Sequence, residues 1–343
     1  MTDIVIEEAS EKRASEWDAF VGAHPRASIY HLWKWKSILG HHLGHGEHYL
    51  TARLGDEIVG VLPLIRIRRP WGSGLLVSLP FVTYGGILCS NGEVYRALSA
   101  KAIELCERLG CQSLELRHKT RDYAWLPART DRVSMILELP ENPEMLWKSL
   151  KAKVRNQVRK AKKSGLEIMC GGVEFLPGFY TVFAKNMHDL GSPAWSRAFF
   201  EDILNTFADE ARLYLVRKDG LDVAAGLVLR TGSRAEIPWA SSLRAYNHLC
   251  GNTMMYWEIL SASIREGCST FDFGRSAPGS GPYRFKKQWG ARELPLYWHG
   301  WPPLLTRSGV LDRHRERVSA WWSGLPPWVV DAIGPRVRPW LPQ

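Results

Sequence analysis

The same succession of sequence signals occurs twice along this 343-residue chain, which limits its fold to one built from two similar halves. Near the end of each half, a helical pattern is followed by Gly-Cys and by a strand with an acid between two apolar residues. These blocks are GCQSLELR at 110–117 and GCSTFDFG at 267–274, preceded by helical patterns at 95–109 and 252–266. Glycine is the usual residue just after a helix, so each block predicts a helix that ends at its glycine.

The match between the halves extends upstream. YLTARLGDEIVGVLPLI at 49–65 and YLVRKDGLDVAAGLVLR at 214–230 each predict a β-hairpin around a Gly-Asp or Asp-Gly turn. Between hairpin and helix, 79–87 and 237–244 each predict one further strand. Two helical patterns begin each half: 15–20 with 29–39, and 177–187 with 197–207. The order helix, helix, hairpin, strand, helix, strand therefore favours duplication of one unit over two unrelated segments.

These signals divide the chain into a first domain at 1–145, a second domain at 146–300 and a tail at 301–343. A basic helix, KSLKAKVRNQVRKAKKSG at 148–165, is predicted to link the domains, and it carries eight Lys and Arg without one acid. Like charges along one helix repel each other, so an anionic ligand would stabilise it. Two interpretations of this helix stay open: it is a solvated linker, or it is a surface that binds an anionic ligand or partner.

The overall composition is that of a basic protein with a sizeable core. The net charge is +10 and the pI about 9.4, which favours anionic partners, and 45% of the residues are hydrophobic. The six cysteines form no Cys-x-x-Cys pair, so buried thiols are expected instead of disulfides. The N-terminal MTDIVIEEAS has no apolar signal region, and no apolar run reaches the roughly 18 residues of a membrane span. We expect a cytoplasmic protein.

The tail at 301–343 interleaves tryptophans with arginines, as headgroup-level membrane elements do. Packing of these tryptophans on the adjoining domain is the alternative. The first reading predicts peripheral contact with the inner membrane.

At the level of single motifs the chain resembles FemAB-type proteins. The motifs are FVTYGG at 81–86, RNQVRKAKKSGL at 155–166, PWASS at 238–242 and, most specifically, FDFGRS followed by GPYRFKKQWGA within 271–291. The branch most similar is the one associated with exosortase/PEP-CTERM exopolysaccharide systems. The resemblance implies an α/β (α+β) fold of two tandem GNAT-like N-acyltransferase domains, each a mixed sheet flanked by helices.

The same resemblance implies transfer of an acyl group, typically an amino acid carried on tRNA, to an amine of a cell-envelope or exopolysaccharide precursor. This chain lacks the long helical arm that the best-known members have in their second half, so the donor stays open. Acyl-CoA is disfavoured because no Arg/Gln-x-x-Gly-x-Gly/Ala pyrophosphate loop precedes either repeated helix. A phosphorylated sugar or lipid-linked precursor is the expected acceptor, and no tightly bound cofactor is expected.

Aminolysis of an ester needs a donor or cation for the tetrahedral oxyanion and a route for the proton of the amine. Lys286 stands at the family's Phe-Lys lysine, which implies that it stabilises the developing negative charge. Segment 283–290 is predicted as a strand, so Lys287 is expected on the opposite face. Asp272 either orients the incoming amine or accepts a proton from it, or it forms an ion pair with Arg275 or Arg284. A catalytically idle binding module that uses the same cleft is the alternative function.

The remaining candidate residues are expected to bind substrate. Arg275 and Arg284 suit phosphate groups, Tyr283 and Trp289 suit stacking or core packing, and Tyr84 is a candidate contact to the acceptor. The basic-helix positions that match the family pattern are Arg155, Asn156 and Arg159. HHLGHGEH at 41–48 gathers four histidines, but a fold of this class needs no metal, and no metal site is expected.

Overall fold

The computed structural model describes residues 3–68, 73–121, 125–302 and 319–341. The chain forms two compact units: the first comprises residues 1–132, 295–306 and 339–343, and the second comprises residues 133–294 and 307–338. The predicted boundaries after residues 145 and 300 fall elsewhere, because each unit takes one strand from beyond the expected limit. A strand at 133–138 lies in the sheet of the second unit, and a strand at 297–301 lies in the sheet of the first.

The elements are numbered in chain order. The strands are β1 (Ile4–Glu8), β2 (Gly46–Leu54), β3 (Glu57–Ile67), β4 (Gly74–Val77), β5 (Leu88–Cys89), β6 (Cys111–His118), β7 (Ala128–Arg129), β8 (Val133–Glu138), β9 (Glu167–Gly171), β10 (Ala211–Lys218), β11 (Leu221–Thr231), β12 (Arg234–Ser242), β13 (Thr270–Ser276), β14 (Arg292–Pro295) and β15 (Tyr297–Trp301). The helices are α1 (Ala14–Ala23), α2 (Lys34–Leu43), α3 (Gly92–Arg108), α4 (Pro143–Ser149), α5 (Ala152–Lys163), α6 (Leu176–Asp189), α7 (Arg197–Thr206), α8 (Gly251–Arg265), α9 (Gly281–Lys287) and a C-terminal helix at Pro327–Val337.

The first unit is built on a mixed sheet with the strand order β1-β2-β3-β4-β6-β15-β7, and β5 pairs with β3. Neighbouring strands are antiparallel except β4 and β6, which are parallel. The connection between these two parallel strands contains α3, as a parallel crossover requires. Leu98 and Ala102 of α3 are fully buried together with Leu114 and Leu116 of β6, so this helix and sheet form one hydrophobic core.

The second unit repeats this arrangement, with the strand order β14-β8-β13-β12-β11-β10-β9. Its single parallel pair among the described strands is β12 with β13, and α8 lies in the connection between them. Helices α6 and α8 both pack on the sheet, and α5 packs on α8. Buried residues of α5, α8 and β13 belong to one core cluster, including Val154, Met255, Ile259 and Phe271.

The repeated order is confirmed, with both hairpins, both long helices and both strands after Gly-Cys in place. Each half also begins with a strand that the sequence patterns did not predict, β1 and β9. The strand predicted at 79–87 is wrong: only Leu88–Cys89 forms a short strand, and the preceding segment is a loop in which Leu79 and Phe81 have positive φ. Backbone in that region cannot continue a β ladder.

The basic helix predicted at 148–165 is two helices instead of one. Leu150 and Lys151 between α4 and α5 are extended, with ψ of 143° and 146°. This break lets Leu150 and Leu146 both reach the hydrophobic core, where each is nearly inaccessible.

The tail falls partly outside the described residues. Within 319–341, Trp322 is buried, whereas the side chains of Trp321, Trp328 and Trp340 are 64%, 74% and 39% exposed. Among the described residues, no helix combines the length and apolar character that crossing a membrane would need.

Candidate active site

The parallel strands β12 and β13 separate part of the way along the second sheet. They pair from Arg234–Thr270 to Glu236–Asp272, and the ladder stops there although both strands continue. On its other edge, β13 shifts register against β8 between Asp272 and Arg275. Gly274 lies within this shift and has a φ of +76°, a backbone conformation that costs free energy for any residue with a Cβ. The irregularity turns backbone carbonyls of β13 away from the sheet.

Helix α9 brings a lysine to these carbonyls. Ser280 caps the helix, since its Oγ accepts a hydrogen bond from the Tyr283 N–H at 3.3 Å, and Pro282 stands in the first turn. The strand predicted at 283–290 is therefore wrong, because the Ser-Gly-Pro start favours a helix over the alternating pattern that follows. Tyr283 and Lys287 are one turn apart on the exposed side of this helix, and Lys286 points inward.

The Lys286 ammonium group is held at the point where the strands separate. The side chain is only 8% exposed, and its Nζ donates to the Gly274 carbonyl at 3.0 Å and to the Arg275 carbonyl at 3.1 Å. Within the described part of the chain, these bonds use two of the three N–H groups of the ammonium. The third N–H is the candidate donor to a reacting oxygen.

Burial lowers the pKa of Lys286 to about 8, which the negative charge of Asp272 opposes and the positive charge of Arg275 reinforces. At pH 7 the group therefore remains about 90% protonated. A cation in a site that excludes water stabilises a developing oxyanion more strongly than one in solvent does.

Asp272 shapes the irregular part of β13. Its carboxylate is buried, and Oδ1 accepts hydrogen bonds from Ser134 Oγ at 2.6 Å and from the Gly274 N–H at 2.8 Å. The same aspartate thus fixes Gly274, whose carbonyl binds Lys286, and supplies negative charge to the ammonium. Ser134 lies on β8, far away in sequence, and no motif pointed to it.

The other residues of the 275–289 segment lie in three different environments. Tyr283 donates its O–H to Glu293, and Lys287 bonds both partners, so these three form an exposed cluster. Arg275 is half-buried and Arg284 is exposed. The Trp289 ring is 1% exposed and lies in the core, 6.2 Å from Tyr256 and 6.3 Å from Phe285.

Candidate residues outside this segment lie on other elements. Arg155, Asn156 and Arg159 lie on α5, where Asn156 Oδ1 accepts a hydrogen bond from Arg159 at 3.2 Å. Tyr84 belongs to the first unit and is buried there, with the Lys119 Nζ 3.6 Å from its ring centroid.

The histidine-rich loop is partly committed to hydrogen bonds inside the first unit. His45 Nε2 pairs with the Pro339 carbonyl at 3.2 Å and its Nδ1 accepts from the Arg68 N–H, while His48 Nδ1 pairs with Glu8 at 3.0 Å.

The corresponding position of the first unit is occupied by its own backbone. Where β4 ends, the loop that follows bonds to β6: the Ser78 N–H donates to the Glu115 carbonyl at 2.9 Å, and the Gly85 N–H donates to the Arg117 carbonyl at 3.2 Å. Ser78 Oγ also accepts from the Arg117 N–H at 2.8 Å. The duplicated units thus differ at the point where their parallel strands separate. Among the described residues, backbone N–H groups bond to the strand carbonyls there in the first unit, and a lysine does so in the second.

Comparison with known proteins relates this chain to acyltransferases. Residues 148–287 match the family model described as Acetyltransferase (GNAT) domain, a range that includes both α5 and α9. Lipid II:glycine glycyltransferase of Staphylococcus aureus is 26% identical over 237 residues, which cover 60% of this chain and 53% of that protein. The chain therefore spans about half the length of the curated relatives it matches.

Two solved structures share the fold over most of the chain. The crystal structure of FemX has a TM-score of 0.68 at 17% identity and covers 86% of this chain and 96% of FemX. A tandem GNAT protein from the clavulanic acid biosynthesis pathway has a TM-score of 0.57 at 13% identity and covers 88% of this chain and all of that one, at 100%. These likenesses confirm the α/β fold of two GNAT-like domains. The sequence matches support the predicted FemAB-like acyltransferase, and the exosortase/PEP-CTERM association stays a prediction.

Proposed function

We propose that this protein is an N-acyltransferase of FemAB type, which transfers an aminoacyl group to an amine of a cell-envelope precursor. The observation that carries the proposal is the buried Lys286, whose Nζ is held by two carbonyls where β12 and β13 separate. Support also comes from the GNAT match across this region and from a relative named for the transfer of glycine to lipid II.

In the proposed reaction the neutral amine attacks the carbonyl carbon of an aminoacyl ester. The third N–H of the Lys286 ammonium donates to the oxygen that becomes negative, and the two carbonyls of β13 keep the Nζ in place. This attack forms the C–N bond. Collapse of the tetrahedral intermediate then re-forms the carbonyl, breaks the ester C–O bond and passes the proton of the amine to the leaving hydroxyl. The atoms and electrons of this reaction balance without an oxidant, a metal or a nucleoside triphosphate.

The finer assignments follow the resemblance. We propose aminoacyl-tRNA as the donor in preference to acyl-CoA, and a phosphorylated sugar or lipid-linked precursor, including one for exopolysaccharide, as the acceptor. Arg275 and Arg284 are the proposed phosphate contacts, and Tyr84 is a proposed acceptor contact in the first unit. Asp272 is proposed as a positioning residue, because its carboxylate already accepts two hydrogen bonds from the protein.

Peripheral contact with the inner membrane is a further part of the proposal. Trp321 and Trp328 expose most of their rings, and tryptophan favours the headgroup level of a bilayer.

The test is direct transfer by the purified full-length protein. Aminoacylated bulk tRNA is incubated with lipid II or with a nucleotide-linked amino sugar, and the products are analysed by mass spectrometry. A mass increase of one aminoacyl residue in the acceptor, absent with Lys286→Met, supports the proposal. If the wild type binds both substrates and yields no product, the protein is a binding module instead.

A further inference from the structure

Helix α5 and the turn before it present an unusual density of uncompensated positive charge. Segment 148–163 contains eight cations and no acid: Lys148, Lys151, Lys153, Arg155, Arg159, Lys160, Lys162 and Lys163. Among the described residues, only Lys162 has a carboxylate within 4.0 Å, Glu258 at 3.6 Å. Within α5, four like-charged pairs lie three or four residues apart: 155/159, 159/162, 159/163 and 160/163. At about 0.2–0.5 kcal/mol per pair, their repulsion costs the free protein roughly 1–2 kcal/mol.

The helix is anchored so that these charges face outward. Val154, Val158 and Ala161 are buried, in a stripe that packs on α8. The opposite positions Lys153, Lys160 and Lys163 are exposed. Because both valines of α5 pack on the protein, its outer face has no large apolar side chain to insert between lipids. Membrane-surface helices, in contrast, keep an apolar face for the bilayer.

An aromatic group lies beside the charges. The Arg159 guanidinium lies 5.5 Å from the ring centroid of the half-buried Trp147, which makes an edge contact of 4.7 Å with Trp257 of α8. A cation next to an accessible aromatic ring is the combination with which proteins hold single-stranded nucleic acid.

Helix α8 packs against both the charged segment and the helix that carries Lys286. Trp257 contacts Trp147 of α4, and the preceding residue, Tyr256, contacts Phe285 of α9 at 5.1 Å. Phe285 directly precedes Lys286. A strand of nucleic acid docked along α5, which is about 18 Å long for its 12 residues, is therefore held on a helix that packs on α8, and α8 also contacts α9.

We propose that the outward face of α5, with Trp147 at its edge, is a docking surface for the sugar-phosphate backbone of an RNA strand. This inference deepens the proposed function, since the donor proposed above carries its acyl group on RNA. Lysines contribute charge to successive phosphates, and the amide of Asn156 adds a hydrogen-bonding group without any preference for sequence.

The binding experiment compares two variants of equal charge. Lys151, Lys153, Lys160 and Lys163 are replaced by Gln in one, and Lys12, Lys101, Lys185 and Arg197 in the matched control. The probes are deacylated tRNA and a labelled 12-nucleotide RNA, titrated between 50 and 200 mM salt. Four phosphates neutralised by α5 give a slope of log K against log salt of about −3, which the α5 variant should lose and the control should keep.

Two results overturn the inference. One is an α5 variant whose RNA affinity and salt slope equal those of the control. The other is an α5 variant that keeps RNA affinity but no longer binds anionic phosphatidylglycerol vesicles, which would assign the surface to lipid.

Transfer assays keep this inference separate from the proposed function. The donors are aminoacyl-tRNA and 3′-aminoacyl-adenosine, which has no backbone phosphates for α5 to hold. The ratio of kcat/KM for the tRNA donor to that for the small donor should fall at least tenfold in the α5 variant and stay constant in the control. If the wild type transfers from neither donor, the proposed function fails, whereas RNA binding lost only in the α5 variant still supports the docking surface.

Discussion

Acyl transfer that depends on a protonated Lys286 should decline as the pH rises through about 8, the pKa to which burial lowers this side chain. The ammonium is about 90% protonated at pH 7 and about 10% at pH 9, so its contribution to kcat/KM falls roughly tenfold between these values. Deprotonation of the acceptor amine raises the rate over the same range. The two effects are separated by Lys286→Arg, whose guanidinium does not titrate below about pH 12. We expect the ratio of wild-type to variant activity to fall between pH 7 and 9.

The charges next to Lys286 should shift the pH at which activity declines, whereas charges next to a merely structural lysine would not. Asp272 raises the pKa of Lys286 and Arg275 lowers it. Asp272→Asn should therefore move the alkaline decline to lower pH and Arg275→Gln to higher pH, each by roughly 1 unit. The measurement is kcat/KM against pH with one acceptor amine. Identical declines in wild type, Lys286→Arg and both charge variants would refute the assignment of the decline to Lys286.

The loss of kcat expected for Lys286→Met follows from the same contacts. Removing one oxyanion donor should lower kcat by about 10²–10³, the range found for such donors. Stability should change little. Burial lowers the pKa of Lys286 from 10.5 to about 8, so the buried charge costs the folded protein about 3 kcal/mol, which the substitution recovers. The substitution also leaves the carbonyls of Gly274 and Arg275 unpaired, which costs about 1–3 kcal/mol each and offsets that gain. A melting temperature close to that of the wild type, together with lost turnover, is the expected pair of results.

Three further predictions concern Gly274, two buried histidines and the tail. Gly274→Ala places a residue with a Cβ in the left-handed region, at φ +76°, and should lower the free energy of unfolding in urea by about 1–2 kcal/mol. The kcat should also fall, because the carbonyl that holds Lys286 moves. An unchanged unfolding midpoint would contradict the strain assigned to this position. Burial lowers the pKa of His31 and of His299 to about 4, so the unfolded state binds more protons between pH 6.5 and 4. The unfolding free energy should then drop as the pH falls through that window, by about 3 kcal/mol per histidine, and His31→Gln should remove its share of the pH dependence. Replacing Trp321 and Trp328 by Ala should weaken co-sedimentation with lipid vesicles while leaving the melting temperature within a few degrees, since both rings are exposed; equal sedimentation would argue against membrane contact by the tail.

Local signals in the sequence were sufficient for the repeated architecture. The turns at Gly55-Asp56 and Asp219-Gly220 fix the two hairpins, and Gly110 and Gly267 end the two long helices with φ of +62° and +81°. These features depend on the backbone preferences of a few adjacent residues, so they can be read without knowledge of distant contacts. The motif around Lys286 likewise marked the segment that contains the candidate site.

The tertiary structure decided the features that depend on distant residues. The alternating segment at 283–290 predicted a strand, but the cap at Ser280 and the burial of Lys286 and Trp289 against the core favour the helix Gly281–Lys287. The exchange of β8 and β15 between the units rests on pairing with strands far away in sequence. The lowered pKa of Lys286 arises from burial beneath β13. The sequence by itself therefore determined the repeated order of hairpins, long helices and strands after Gly-Cys, because those preferences are local. The packing of distant strands and helices alone decided where the lysine lies, what it binds and how easily it loses its proton.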